Sequence, residues 1–473
     1  MRKPAAEASV ASLHDLSAVD LIEGFKAGQF SPSEVLDDVL AHVAAWEPHI
    51  KALYAFDPDG ARAVAKASTE RWQKGEPMGL LDGVPVTIKD NIATKGVPVP
   101  LGAASVKQVP AERDAPPAAR LREAGAVIFS KTTMPDYGML SSGLSSFHPL
   151  TRNPWDLSKN PGGSSSGAGA AAAAGYGPLH LGTDIGGSVR LPACWCGLVA
   201  LKPSLGRIPV DPPYVGRVAG PMTRIVDDAA LMMSVLSRPD RRDGMSLPPN
   251  DINWKALEKS PRKLRIGLML DAGAGQPLEK SVREVVVKAA KAFESAGAVI
   301  TEVDGVMTRE IVDGLDHFWR ARMWDDLSKL TPAERAKALP YIQQWAETGA
   351  KLSGVDVVRG FNATMAIRAA AAKLFCEIDY VISPVSPVVN FAAELASPLN
   401  DPTKPFEHIA YTVPWNMSEN PALSINGGFD KKGFPIGVQI IGRRFDDLGV
   451  LGMAKAFEGL RGPQKPWPSP PKK

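Results

Sequence analysis

Two Gly/Ser loops and one lysine carry the residues in this chain whose types and spacing suit acyl-transfer chemistry. The segment Asn160-Pro161-Gly162-Gly163-Ser164-Ser165-Ser166-Gly167-Ala168-Gly169 runs into five alanines, and of the 16 residues from Gly162 to Gly177 all but Tyr176 are Gly, Ser or Ala. Such a loop can feed a small-residue helix that its hydroxyls cap and that passes close to other backbone. The same composition also suits a flexible linker. Twenty-four residues beyond Ser164 (188 − 164 = 24) lies Ser188, in Gly182-Thr183-Asp184-Ile185-Gly186-Gly187-Ser188-Val189-Arg190. Paired glycines directly before a serine let successive N–H groups turn toward one point, as an oxyanion hole around a nucleophilic hydroxyl requires; a tight turn with an idle serine reads the same way. Lys89 ends the apolar run 84–88 and precedes Asp90-Asn91. Desolvation there lowers a lysine's pKa and lets the neutral amine act as a base near pH 7, although a lysine at a strand end also snorkels to solvent.

These groups need a scaffold. Ser31-Pro32-Ser33-Glu34 reads as a capped helix start, followed by Val35, Leu36, Val39, Leu40 and Val43 at helical spacing, within an N-terminal helical segment of about 15–60. From about residue 80, short β-type runs (84–88, 126–129, 264–270, 380–382 and 437–441) alternate with helical stretches at 118–124 and 282–296. That alternation predicts an α/β fold with helices covering a mostly buried sheet. A single loop-rich domain, 1–473, is expected. Its chemistry lies at about 80–210, a polar seam at about 237–261 carries an insertion or a crossover, and the tail 461–473, with five prolines, is extended.

Composition narrows the function. With 44% hydrophobic residues and 54 Lys+Arg against 51 Asp+Glu, a net charge of +3, the chain has neither the low hydrophobicity nor the charge of a disordered protein. No long basic run is present, so nucleic acid is not an expected partner, and small molecules are. Cys194, Cys196 and Cys376 are too few and too oddly spaced for a disulfide framework, and Cys194-Trp195-Cys196 without further ligands does not close a zinc site. No metal and no cofactor is expected. Residues 1–19 lack the apolar core of a signal peptide, and the weakly polar stretch 167–181 falls short of the ~20 apolar residues that cross a bilayer. A cytoplasmic protein with no membrane association, monomer or homodimer, is the expectation.

Together the three chemistry-bearing segments resemble the amidase signature family. Val86-Thr87-Ile88-Lys89-Asp90-Asn91, the Gly-Gly-Ser-Ser-Ser-Gly loop with Ser164, and Thr-Asp-Ile-Gly-Gly-Ser-Val-Arg with Ser188 match its Ser-cisSer-Lys triad in order and spacing. Leu81-Asp82-Gly83-Val84-Pro85, Ser130-Lys131-Thr132-Thr133-Met134-Pro135, Asn153-Pro154-Trp155-Asp156, Ala200-Leu201-Lys202-Pro203-Ser204 and Gly433-Phe434-Pro435-Ile436-Gly437 extend the likeness over roughly 15–460. The resemblance implies the amidase signature fold, with a large mixed central sheet covered by helices on both sides. It also implies that Ser188 attacks the carbonyl, and that Ser164, following a cis peptide bond from Gly163, relays the proton to neutral Lys89. Backbone N–H groups of Ile185, Gly186, Gly187 and Ser188 then hold the oxyanion. An acyl-enzyme forms and water cleaves it. Arg190 and Asp184 read as a pair bracing the loop.

The segment that lines the acyl pocket in that family here reads Asp136-Tyr137-Gly138-Met139, which makes Tyr137 and Gly138 candidate substrate-binding residues; Tyr137 equally suits a core position. Arg207 is the one cation singled out for the site, or else a surface pair. An apolar pocket of this kind favours uncharged aryl or alkyl amides, and also carbamates and esters. Three rivals stand beside this reading, one of them a catalytically dead binding module, against which the intact Lys89, Ser164 and Ser188 set speaks. Gly163-Ser164-Ser165-Ser166-Gly167 also fits a nucleophile elbow, with Ser165 in a Ser-His-Asp esterase. The amidase-like subunit of a tRNA-dependent amidotransferase complex shares the family's motifs.

Overall fold

The computed structural model describes residues 12–471. The reading of residues 1–11 as free of a signal segment, and the last two residues of the tail, lie outside them. Eleven strands form one sheet: β1 (Leu53–Tyr54), β2 (Pro85–Lys89), β3 (Val127–Thr132), β4 (Leu179–Asp184), β5 (Val199–Lys202), β6 (Val218–Thr223), β7 (Arg265–Leu268), β8 (Val299–Glu302), β9 (Tyr380–Pro384), β10 (Ala422–Phe429) and β11 (Pro435–Gly442). Their order is β1-β3-β2-β4-β6-β5-β10-β11-β9-β7-β8. The sheet is mixed: β2 runs parallel to β3 and β4, and β7 runs parallel to β8 and β9, whereas the centre, β4-β6-β5-β10-β11-β9, is antiparallel throughout.

Seven helices matter for the site and its support: α1 (Pro32–Ile50), α2 (Ser166–Ala174), α3 (Arg190–Cys196), α4 (Lys280–Ser295), α5 (Arg309–Ser328), α6 (Gly354–Glu377) and α7 (Asp447–Leu460). Helix α1 starts where the Ser31 side chain and Glu34 form a reciprocal cap, and it buries Val35, Leu36, Val39, Leu40 and Val43. Together with α4 and α7 it packs into the largest apolar cluster, which it shares with the sheet and with further helices. A separate cluster joins α5 to Leu191 and Trp195 of α3 and to Phe406 and Ile409.

Every residue of α2 is buried, which explains its Gly/Ala composition. Ala170, Ala171 and Ala174 face the largest cluster, while Ala168, Ala172 and Ala173 pack against α3 and β5. A Cβ on Gly167 would stand 2.3 Å from the Ala52 carbonyl oxygen and 2.4 Å from the Thr133 nitrogen, so the helix can pass this close only without one. The result is a rigid helix in the interior that presents its N-terminal loop to the ends of β2 and β4. The stretch 237–261 contains neither helix nor strand, and Trp254 and Leu257 pin it to the core. Among the described residues no helix is long and apolar enough to cross a membrane.

Candidate active site

Lys89 closes β2, a strand buried along its whole length, so the fold carries this amine into the interior. Its Nζ lies 2.8 Å from Ser164 Oγ and 3.0 Å from Thr183 Oγ1, and Thr183 accepts a further bond from Asn91 Nδ2 at 3.1 Å. Burial dominates the amine's proton affinity and lowers its pKa to about 7; the carboxylates of Asp184 and Asp90 pull the other way without cancelling it. Asp90 is tied down in turn by His148, Nε2 to Oδ2 at 2.6 Å, and by the N–H groups of Leu101 and Gly102.

Ser164 follows a cis peptide bond from Gly163. A Cβ on Gly163 would meet the Ser142 nitrogen at 2.4 Å, so the tight packing around this bond admits glycine alone. Ser188 is half-buried and lines the same cleft as Ser164, Thr183 and Ile185. The loop that presents it is braced by Asp184, which accepts from the N–H groups of Gly187 at 2.8 Å and Val189 at 3.1 Å. Arg190 meets both carboxylate oxygens, at 2.9 and 3.0 Å, and reaches Gln439 and the Thr412 carbonyl, each at 2.8 Å. Burial alone pushes the Asp184 carboxyl up, and the Arg190 guanidinium overrides it and holds the group well below the usual carboxylate range. Thr412 Oγ1 fixes the far side of the loop by donating to the Gly186 carbonyl at 2.6 Å. Gly187 has φ +131°, and a Cβ there would stand 2.6 Å from Thr412 Oγ1, which accounts for the glycine.

Three expectations need revision. The Gly187 N–H is already committed to Asp184, which leaves Ile185, Gly186 and Ser188 as the loop N–H groups with no acceptor among the described residues. Arg207 does not line the cleft: its Nε donates to the buried Asp447 carboxylate at 3.0 Å, and it serves the junction of β5 with α7. Ser165 is fully buried and its hydroxyl donates to the Thr183 carbonyl at 3.1 Å, so it cannot meet a substrate. His180, one histidine downstream of the Ser165 elbow, is not free to serve it. His180 is locked between Thr87 and the Gly177 carbonyl, and burial pushes its pKa down to about 3.

Tyr137 and Gly138 both line the cleft. Tyr137 is held with φ 53° by a backbone bond to the Leu101 carbonyl, and its hydroxyl lies 2.6 Å from Ser105 Oγ. Gly138 leaves room beside Ser164; a Cβ there would stand 3.3 Å from Ser164 Oγ. From Ser188 the cleft opens in two directions. One arm is apolar, lined by Met139, Leu140, Trp319, Phe406 and Ile409, with His408 kept neutral as burial pushes its pKa down to about 3. The other leads past Arg217 and Arg322 into a cavity of about 290 Å³ that also has Val99, Leu101 and Met323 in its wall. Trp319, Arg322 and Met323 come from α5, and Arg217 from the loop before β6. Sequence reasoning missed these residues because no motif or spacing links them to the serines. Among the described residues no group of three or more His, Cys, Asp or Glu is placed to hold a metal ion. Cys194 and Cys196 are buried, and burial pushes both thiols up, that of Cys194 to about 12.

Comparison with known proteins extends these observations. The sequence model of the family described as Amidase matches residues 34–451. The chain is 34% identical to the A-type subunit of the glutamyl-tRNA(Gln) amidotransferase of Myxococcus xanthus (strain DK1622), over 94% of this chain and 97% of that protein. The protein of the same description from Chloroflexus aurantiacus (strain ATCC 29366 / DSM 635 / J-10-fl) is 32% identical, over 95% and 97% of the two chains. Among solved structures, a bacterial aryl acylamidase of the amidase signature enzymes superposes with a TM-score of 0.88 at 29% identity, over 95% of this chain and 96% of the other. The native peptide amidase of Stenotrophomonas maltophilia shares the fold with a TM-score of 0.83 at 24% identity, over 97% and 99% of the chains.

Proposed function

This chain belongs to the Amidase family and is an amide C–N hydrolase, and from that premise we propose that it works through a Ser188 acyl-enzyme, with Ser164 and Lys89 as the proton relay. The observation that carries this reading is the 2.8 Å contact between Lys89 Nζ and Ser164 Oγ in a buried site whose cleft Ser188 shares. With a pKa of about 7 the amine is substantially neutral at physiological pH and can accept a proton through Ser164 as Ser188 attacks. The N–H groups of Ile185, Gly186 and Ser188 stabilise the oxyanion. The relay returns its proton to the nitrogen as the C–N bond breaks, and water then cleaves the ester by the same route in reverse.

The apolar arm gives the substrate class. Trp319, Phe406, Ile409 and Leu140 offer an aryl or alkyl group a surface that gains about 25 cal/mol per Å² buried. Small aryl and alkyl amides are the proposed substrates, with carbamates and esters accessible to the same chemistry. This wall carries no charge, but the cleft as a whole does, because Arg217 and Arg322 face it. The cytosol remains the proposed compartment, in keeping with three unpaired cysteines.

A panel of anilides, primary amides, carbamates and esters offered to the purified chain tests the reading. Ser188→Ala should lower hydrolysis of every accepted substrate by at least ~10³-fold, and a serine-directed phosphonate should add mass to the peptide containing Ser188 in the wild type alone. Labelling elsewhere, or an active Ser188→Ala, overturns it. The similarity to amidotransferase subunits supports a second reading, in which the chain releases ammonia inside a complex. Hydrolysis of simple amides by the isolated chain argues against that; activity on glutamine that requires added partner subunits argues for it.

A further inference from the structure

Arg217 and Arg322 differ from every other well-covered arginine near the site in lacking a counter-ion. Arg190, Arg207, Arg224 and Arg320 each meet a carboxylate within 3.0 Å. No carboxylate among the described residues lies within 4.0 Å of the guanidinium of Arg217 or of Arg322. Both guanidiniums instead pack on one aromatic ring, Arg322 at 4.1 Å and Arg217 at 5.6 Å from the centroid of Tyr214. Arg217 makes one weak side-chain bond, to the Pro212 carbonyl at 3.3 Å. Burial, followed by the charge of Arg322, lowers the pKa of Arg217 to about 10, and the opposing charge of Asp326 does not cancel it.

Their position gives the pair a function. Both arginines line the narrow cleft that contains Ser164 and Ser188, and both also line the adjoining cavity. Asp184, the one carboxylate on the narrow cleft among the described residues, is fully engaged by Arg190. Asp211 and Asp326 line only the adjoining cavity, and Asp211 is drawn toward Arg113, at 3.2 Å. The cleft is therefore electropositive beside the nucleophile and turns acidic farther away.

We infer that Arg217 and Arg322 form a subsite for an anionic group of the substrate, a carboxylate within a few bonds of the scissile amide. The inference rests on the Ser188 amidase reading and deepens it: one flank of the substrate is apolar, the other short and anionic. A short spacer is required because a longer one would carry the carboxylate to Asp211 and Asp326. It also replaces the expectation of wholly uncharged substrates, whose premise was that Arg207 is the one cation near the pocket.

Two matched pairs of amides test this. Succinyl 4-nitroanilide against pentanoyl 4-nitroanilide places the charge on the acyl side, and N-benzoylglycine against N-propylbenzamide places it on the amine side. In at least one pair the carboxylate member should have the higher kcat/KM, by about tenfold or more, as a charge-assisted hydrogen bond provides. The ratio should fall toward one in Arg322→Gln and in Arg217→Gln. It should also fall with rising salt in the wild type, a readout that needs no variant to fold. Equal or better turnover of the neutral member in both pairs overturns the subsite, as does a preference that survives the Arg217→Gln/Arg322→Gln double change. If the wild type turns over none of the four, calorimetric binding to Ser188→Ala decides: tighter binding of a carboxylate member supports the subsite while removing the amidase reading for these compounds, and equal binding overturns the subsite. Acceleration of the neutral members by acetate, against chloride at equal ionic strength, would mean that the pair takes a free anion, and overturns its assignment to the substrate.

Discussion

Lys89 is held in a state that costs stability and suits the proposed chemistry. In an unfolded chain its pKa is near 10.5, and in the fold it is about 7, so between these values the unfolded state binds a proton that the folded state does not. The contribution of Lys89 to stability is therefore least favourable below about pH 7 and improves as pH rises toward 10.5. Two outcomes follow for Lys89→Met. Activity should fall by more than the ~10²–10⁴-fold of an ordinary general acid–base step, because one amine serves both acylation and deacylation. The Tm difference, variant minus wild type, should be most positive near pH 7 and shrink toward pH 10 in differential scanning fluorimetry, whereas a lysine that is protonated in the fold would give no such trend. For the wild type, kcat/KM should rise with pH through about 7 and then level off, because the neutral amine is the competent form. Lys89, Ser164 and Ser188 were legible because each sits in a local pattern whose meaning is set by a few neighbours. Arg217 and Arg322 were not, since a lone Arg after Gly216 and another within α5 carry no local mark, and the tertiary fold alone brings them to one ring.

At the scale of elements, the loop between β4 and α3 is the part on which the site depends most. Its shape rests on the buried pair Asp184 and Arg190, with Asn416 donating to the same carboxylate at 2.9 Å. Removing the cation leaves a buried carboxylate uncompensated. Arg190→Met should therefore cost about 3–5 kcal/mol in urea unfolding and lower kcat far more than it changes KM, because Ser188 and its N–H neighbours lose their fixed positions. A small loss in both would mean that the hydrogen bonds to Gly187 and Val189 suffice. Elements were legible where periodicity was clean. The runs 84–88 and 437–441 lie within one residue of β2 or inside β11, and the helical stretch 282–296 overlaps α4 almost completely. Strand β6 was hidden, because Gly220 and Pro221 read as a turn although all six of its residues are buried. Strand β4 was hidden by His180 and Gly182, polar and small residues in a strand that is nonetheless buried along its whole length.

Across the whole molecule, the groups proposed to act on the amide come from one stretch of the chain, whereas the walls around them combine that stretch with distant ones. The proposed relay and nucleophile lie between β2 and α3; the walls of the two arms come in part from that same stretch, through Val99, Leu101, Met139 and Leu140, and in part from the loop before β6, from α5 and from residues 405–409. The stretch 237–261 stands apart from both. We propose it as a spacer between two halves of the sheet, since β7 follows it and opens the parallel β7-β8-β9 flank. Residues 249–251 are exposed, and the segment contributes nothing to either arm. Limited proteolysis should cut first between 247 and 253, and the nicked protein should keep most of its activity while Trp254 and Leu257 hold the fragments together. Loss of activity on the first cut would tie this segment to the site.

The share of the walls that comes from outside the stretch 85–196 has a practical consequence for redesign. Part of the walls consists of side chains on α5, on the loop before β6 and in residues 405–409, whereas the loop of the proposed nucleophile is locked by Asp184, Arg190 and Thr412. A library restricted to positions 217, 319, 322, 406 and 409 would leave those locks in place. Selection from it could exchange an anionic partner for a neutral or cationic one while the hydrolytic step stays as it is, so that new substrates are reached by changing what surrounds the bond and not what breaks it.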